Sequence, residues 1–190
     1  NDVEIITESW LEEMLQLCQQ KDVGMVGAKL YYPDDTIQHA GVVVGLGGVA
    51  AHVLCKLPRD AEGYMGRLRC VQEISAVTAA CMMVKTSVFK AVGGFDEELK
   101  VAFNDIDLCM KVRKYGVKIV FTPYAELYHY ESKSRGMEDT PEKQLRFSRE
   151  VNCFRRKWER ELLKGDPYYN PNLTLNNTDC SLRKQEKNGD

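Results

Sequence analysis

Strand-like and helix-period segments alternate along almost the whole chain, and this alternation restricts the fold more than any other feature. Residues 2–6 have the character of a strand end. Trp10, Leu11, Met14, Leu15 and Cys18 then recur at helical spacing, with Thr7 as a capping residue. Val23 to Tyr32 is again strand-like and stops at Pro33-Asp34-Asp35, a turn signal. Ile37 to Gly48 reads as a strand entering a glycine-rich loop, and residues 56–70 as polar and irregular. Ile74 to Val84 reads as a strand whose small residues permit close approach. Thr86 to Val92 is a short helix closed by Gly93-Gly94, and a second helix runs to Gly116. Val117 to Phe121 is a strand ended by Thr122-Pro123, and Ala125 to Tyr130 is read as another. After a loop from Glu131 to Asp139, Thr140-Pro141 opens a long helix whose apolar face is Phe147, Val151, Phe154, Trp158 and Leu162. The pattern predicts an α/β domain over residues 1–164, with a mixed central sheet flanked by helices. Residues 165–190, rich in Asn, Asp and Pro, are expected to be extended and partly disordered.

The chain's 190 residues suffice for one domain with a real core. A formal net charge of -2 gives no sign of a nucleic-acid partner. The stretches Lys111 to Lys118 and Arg146 to Lys164 are locally basic, as solvated helix faces often are. No apolar run reaches the ~18 residues of a membrane span. Seven cysteines lie scattered with no Cys-x-x-Cys pair, which predicts free thiols in a reducing compartment rather than disulfides or zinc. The glycines at 41, 45, 47 and 48 lack dinucleotide-fingerprint spacing and read as a flexible loop.

Chemistry concentrates between Gly93 and Gly116, where Asp96, Asp105 and Asp107 surround one loop and a helix start. Asn104 is read as the helix cap and Asp107, three residues on, as the acidic member of a capping-box-like start. Two residues of helix turn the side chain by ~200°, so Asp105 and Asp107 face apart. Asp105 is left either compensating the helix dipole or serving as a general base. His129, between Tyr128 and Tyr130, is a packed histidine or a ligand for a metal or phosphate. The following Ser132 to Gly136 run resembles an anion-binding loop and equally suits a mobile polar one. His39 is read as core or rim packing, and His52 has no supporting neighbours in sequence.

Taken in order, these residues resemble family 2 glycosyltransferases, inverting enzymes of the GT-A fold, and within them the rhamnosyltransferase-like group that builds bacterial surface polysaccharides. The likeness runs through Asn1-Asp2-Val3-Glu4, Val26 to Leu30, Ile37 to Gly41, Thr78 to Cys81, Gly94 to Glu97, Asn104 to Cys109 and Asp166 to Leu173. It implies that Asp105 is the catalytic base and that Asp2 is a metal-ligand acid of an Asp-x-Asp motif, with Mg²⁺ or Mn²⁺ as the cofactor. It implies that His129 contacts the metal or diphosphate, and that Asp96, Glu97 and Asn104 lie on the acceptor side. Asn104 stands where the family usually has Glu or Asp before the base. Nucleotide-sugar donor and glycan acceptor are the implied partners, at a cytoplasmic location compatible with peripheral association at the inner membrane face. The family's N-terminal nucleotide-binding half is absent from these 190 residues. The chain is therefore expected to be the acceptor-side part of the enzyme, inactive alone, with a sheet edge that would allow a homodimer.

Two other readings compete with the transferase. One is a non-catalytic binding or self-assembly module built on the same fold. The other is a metal-dependent hydrolase using Asp105, Asp107 and His129, which the opposed directions of the two aspartates disfavour.

Overall fold

A computed structural model describes residues 2–130 and 140–184. In chain order the elements are β1 (Val3–Ile5), α1 (Trp10–Cys18), β2 (Val23–Tyr31), β3 (Ile37–His39), β4 (Val42–Val44), β5 (Ala50–His52), β6 (Gln72–Glu73), β7 (Met82–Val84), α2 (Thr86–Ala91), α3 (Asn104–Lys114), β8 (Lys118–His129), α4 (Pro141–Lys157) and α5 (Glu159–Lys164). The mixed α/β class follows as expected, with the sheet flanked by helices.

The sheet is organised around β2 and β8, which run parallel to each other; every other pairing is antiparallel. β1 and β6 share one flank of β8, and β3 and β7 share the far flank of β2. All nine residues of β2 are buried, as a strand covered on both faces must be. One cover is α1, where Met14 and Cys18 pack with Val26, Leu30 and Leu127. The other is α3, whose Leu108, Cys109 and Val112 join Met25, Val77 and Phe121. At Gly27 the approach is closest: a Cβ there would stand 2.3 Å from Val77 Cγ1. The small residue is what lets the segment before Thr78 lie against the central strand.

Several boundaries differ from expectation. β8 is one strand, not two, because a bulge absorbs the proline: Gly27 pairs with Phe121 and Lys29 with Glu126, leaving the residues between them as extra length. Ile37 to Gly48 is broken at Gly41 (φ 104°) into β3 and the β4–β5 hairpin. Ile74 to Val84 keeps regular pairing only in β7, preceded by a 3-10 turn over Ala79–Cys81. Leu11 and Leu15 of α1 are exposed, so its buried stripe is narrower than the sequence suggests. Thr7 does not cap α1; its hydroxyl accepts the Glu126 N–H instead. Thr140 does cap α4, accepting the Lys143 N–H.

The C-terminal residues also depart from expectation. Tyr169, Leu173 and Cys180 are buried in the main core. Asp166 accepts the Val44 N–H at 2.8 Å, and the Thr178 carbonyl accepts from Leu54. The segment 166–183 is thus docked onto the β4–β5 hairpin by apolar burial and backbone bonds; residues 185–190 lie outside the described ones.

Candidate active site

Asp105 owes its position to the helix that carries it. Ile106, Leu108, Cys109, Met110 and Val112 bury α3 against the sheet, which turns Asp105 outward into a cleft of about 510 Å³. Asp2, Asn104, Asp105 and His129 all line that cleft, with Gln38, His52 and the Thr78–Ala80 turn. The Asp105 carboxylate is fixed at both oxygens: Oδ2 accepts the Ala79 N–H at 3.0 Å and Oδ1 the Ile106 N–H at 2.8 Å. Ala79 is in turn held because Thr78 caps its 3-10 turn through the Ala80 N–H.

His129 ends β8, paired with Val3 of β1, and the Asp2 carbonyl accepts the Tyr130 N–H at 2.8 Å. The two strands therefore bring Asp2 and His129 to one wall of the cleft. The Gln38 amide grips His129 twice, its Nε2–H donating to the His129 carbonyl at 3.1 Å and its Oε1 lying 2.7 Å from the ring Nδ1. The orientation that serves the carbonyl places oxygen on Nδ1. It selects the Nδ1–H tautomer, in which Nε2 carries the lone pair.

Behind this wall lies a histidine arrangement that is not legible in the sequence. His39 is fully buried, its Nδ1 3.2 Å from His52 Nδ1, with the rings edge to face at 4.8 Å. Burial, with His52 and His129 nearby, holds its pKa well below the usual histidine value, so it is a neutral packing residue as expected. His52, which looked isolated in sequence, also has Nδ1 3.0 Å from the Gln38 carbonyl. The β4–β5 hairpin folds it back onto β3, a contact that no local pattern could announce. Gln38 escaped notice for the same reason: its partner lies 91 residues away.

The three acids of the Gly93–Gly116 segment separate. Asp107 is fully buried and caps nothing: Oδ1 accepts the Trp158 indole N–H and lies 2.8 Å from Lys157 Nζ, and Oδ2 lies 3.1 Å from Lys111 Nζ. Asp96 pairs with the same Lys157 and accepts the Glu98 N–H at 3.0 Å. The Lys157 hydrogen bond, then the Glu98 N–H, hold its carboxyl below the usual range. Asp96 therefore belongs to the ion-pair network on the Asp107 side of α3, opposite Asp105, and does not line the cleft. Glu97 is exposed and does not line it either. Asn104 does line it, but as the first helical residue; the cap position is Phe103, in the left-handed region at φ 62° with no side-chain cap bond. The 131–139 loop, whose Ser132 to Gly136 run reads as either an anion-binding or a polar loop, lies outside the described residues.

As a donor set, Asp2 and His129 offer one carboxylate and one imidazole. No group of three His, Cys, Asp or Glu side chains able to hold a metal occurs among the described residues. These are two donors, fewer than the roughly six a hard cation takes, so they could hold one only with further oxygens from outside the described residues. No described helix is long and apolar enough to cross a membrane.

Comparison with known proteins places the chain in a family. Residues 2–150 match the model of the glycosyltransferase-like family 2. An uncharacterized protein, y4gI, of Sinorhizobium fredii is 58% identical over 96% of the chain, which covers 20% of that protein. The O-antigen biosynthesis protein RfbC of Myxococcus xanthus is 39% identical over 100% of the chain, which covers 15% of it. An N-acetylglucosaminyl-diphospho-decaprenol L-rhamnosyltransferase of Mycobacterium tuberculosis is 36% identical over 33% of the chain and 20% of the enzyme. The chain thus spans a fifth or less of the length of the first two relatives, and its 62-residue match to the third covers a fifth of that enzyme. With a family model covering most of its length, the chain belongs to the family 2-like glycosyltransferases.

Proposed function

We propose that this chain is the acceptor-side part of an inverting glycosyltransferase that moves a sugar from a nucleoside-diphosphate donor to a glycan in cell-surface polysaccharide synthesis. The observation that carries the reading is the isolated carboxylate of Asp105, held by two backbone N–H groups and facing a cleft whose other wall bears Asp2 and His129. The names of two relatives, one for O-antigen biosynthesis and one for L-rhamnosyl transfer, support the product class.

In this reading Asp105 takes the proton of the acceptor hydroxyl as its oxygen forms the new bond to the anomeric carbon. The bond from that carbon to the diphosphate oxygen breaks on the opposite face. Asp105 ends protonated, and the nucleoside diphosphate leaves as the anion. The Ala79 and Ile106 N–H groups, one on each oxygen, keep the base aimed, and each oxygen retains a lone pair for the acceptor proton. Asn104 stands beside it to contact the acceptor. Asp2 and His129 would hold a divalent cation, Mg²⁺ or Mn²⁺, which when bound neutralises charge on the leaving diphosphate.

Donor selection in this reading rests largely on a nucleotide-binding half outside these 190 residues. β1 is the outermost strand at one side of the sheet and exposes Val3 and Ile5, so a further strand or a second copy could pair there. A panel of nucleotide sugars, offered with lipid- and glycan-linked acceptors to the intact protein that carries this chain, tests the proposal. We expect metal-dependent transfer from one or a few donors. Binding of glycan or self-association without turnover on any donor would overturn it in favour of a non-catalytic module.

A further inference from the structure

One buried carboxylate in this fold has an unusual set of partners. Glu150 of α4 is 3% exposed, and among the described residues no cation stands at hydrogen-bond distance from it; Arg146 Nε lies 3.9 Å away. It accepts instead from three consecutive backbone N–H groups: Lys100 and Val101 at Oε1, both at 3.1 Å, and Ala102 at Oε2, at 2.9 Å. Bonds of this charge-assisted kind are about twice as strong as neutral ones. The segment they grip runs directly into Phe103, Asn104 and Asp105. Phe103 sits in the left-handed region, which is costly for a bulky residue and persists only where surroundings enforce it. Its ring packs at a tilt against Phe147 and Phe154, with centroids at 5.8 and 5.4 Å. Three residues of one helix, Phe147, Glu150 and Phe154, thus hold the turn that starts α3.

We propose that Glu150 is a positioning residue for the Asp105 base, acting by locking the 100–103 turn. The inference rests on the role proposed for Asp105 above. The chain of consequence is short. With three N–H groups tied to α4, Phe103 is held at φ 62°, and the first turn of α3 can begin only at Asn104. That start sets Asp105 against the Ala79 N–H and leaves its carboxylate facing the cleft. Without the carboxylate, the turn can relax toward an ordinary backbone conformation and carry Asp105 away from Ala79. A displacement of about 1 Å in a catalytic group can cost on the order of 100-fold in rate. Glu150 touches no reacting atom in this scheme.

The test compares Glu150→Gln, Glu150→Asp, Asp105→Asn and the Glu150→Gln/Asp105→Asn double variant in the intact protein. Glutamine keeps the shape but presents an amide nitrogen to an N–H donor; aspartate keeps the charge but withdraws it by one methylene. We expect Glu150→Gln to lower kcat by about 10- to 100-fold, with donor KM within about threefold of wild type. Glu150→Asp should restore part of that loss. In the Asp105→Asn background, Glu150→Gln should cost nothing further, because a residue acting only through the base has no effect once the base is gone. A purely structural role predicts an additive loss in the double variant, and that result would overturn the proposal. So would a normal kcat in Glu150→Gln, or loss of cooperative thermal unfolding in both Glu150 variants. Turnover retained by Asp105→Asn alone would instead remove the base assignment, and this inference with it.

Discussion

Asp105→Asn is expected to lower kcat for sugar transfer by about 10³-fold while donor affinity stays within about threefold. Asparagine is isosteric and its oxygen can still accept the Ala79 N–H; its amide nitrogen gives up only the bond from Ile106, the adjacent residue of the same helix, so the cleft should keep its shape. What it cannot do is take a proton. A loss of that size corresponds to about 4 kcal/mol of transition-state stabilisation, within the range that a positioned general base supplies. Steady-state kinetics together with equilibrium donor binding separates the two effects. Turnover within tenfold of wild type would move the base elsewhere in the cleft.

The second large effect is on stability. Asp107→Ala should cost about 3 kcal/mol or more, because it removes the buried carboxylate on which Lys111, Lys157 and the Trp158 indole N–H converge, leaving the lysines with the Gly94 carbonyl and Asp96. Burial pulls the Lys157 ammonium down, but its hydrogen bonds to Asp107 and Asp96 more than reverse this and hold its pKa above the usual lysine value. Removing Asp107 takes away the larger of those two bonds. Asp107→Asn, which still offers an acceptor to Trp158, should cost less. Urea unfolding measures both. The size matters because an N-cap-type role predicts a loss near 1 kcal/mol. A loss that small for Asp107→Ala would show that the lysines find water and that the network does not hold α3 to α4.

These two aspartates show how far the sequence could be read. Their opposition followed from helical geometry alone, and the structure keeps it: one faces the cleft, the other the core. The partners of Asp107 were not legible, since Lys157 and Trp158 lie some 50 residues further on and nothing local marks them. The same distance hid Asp96, whose place beside a paired glycine turn suggested a cleft residue until Lys157 claimed it. Local chemistry served better. Thr140-Pro141 marked the start of α4, Gly93 and Gly94 take the positive φ that closing α2 requires, and β2 ends within one residue of the expected turn. Thr122-Pro123 misled because proline normally stops a strand, and only a bulge against Ala28 lets β8 continue. Asn104 looked like the cap because Phe103, the actual one, depends on aromatic partners from α4 to remain left-handed. Composition after Gly165 did not announce that Tyr169, Leu173 and Cys180 give residues 166–183 enough apolar area to dock.

The claim that unites the site is that one carboxylate, Asp105, acts alone on the acceptor, with no enzyme nucleophile between donor and product. The anomeric configuration of the transferred sugar tests this most directly. Nuclear magnetic resonance of the first product formed by the intact protein, compared with the donor, should show the configuration inverted. Retained configuration would contradict the single-base account of the cleft.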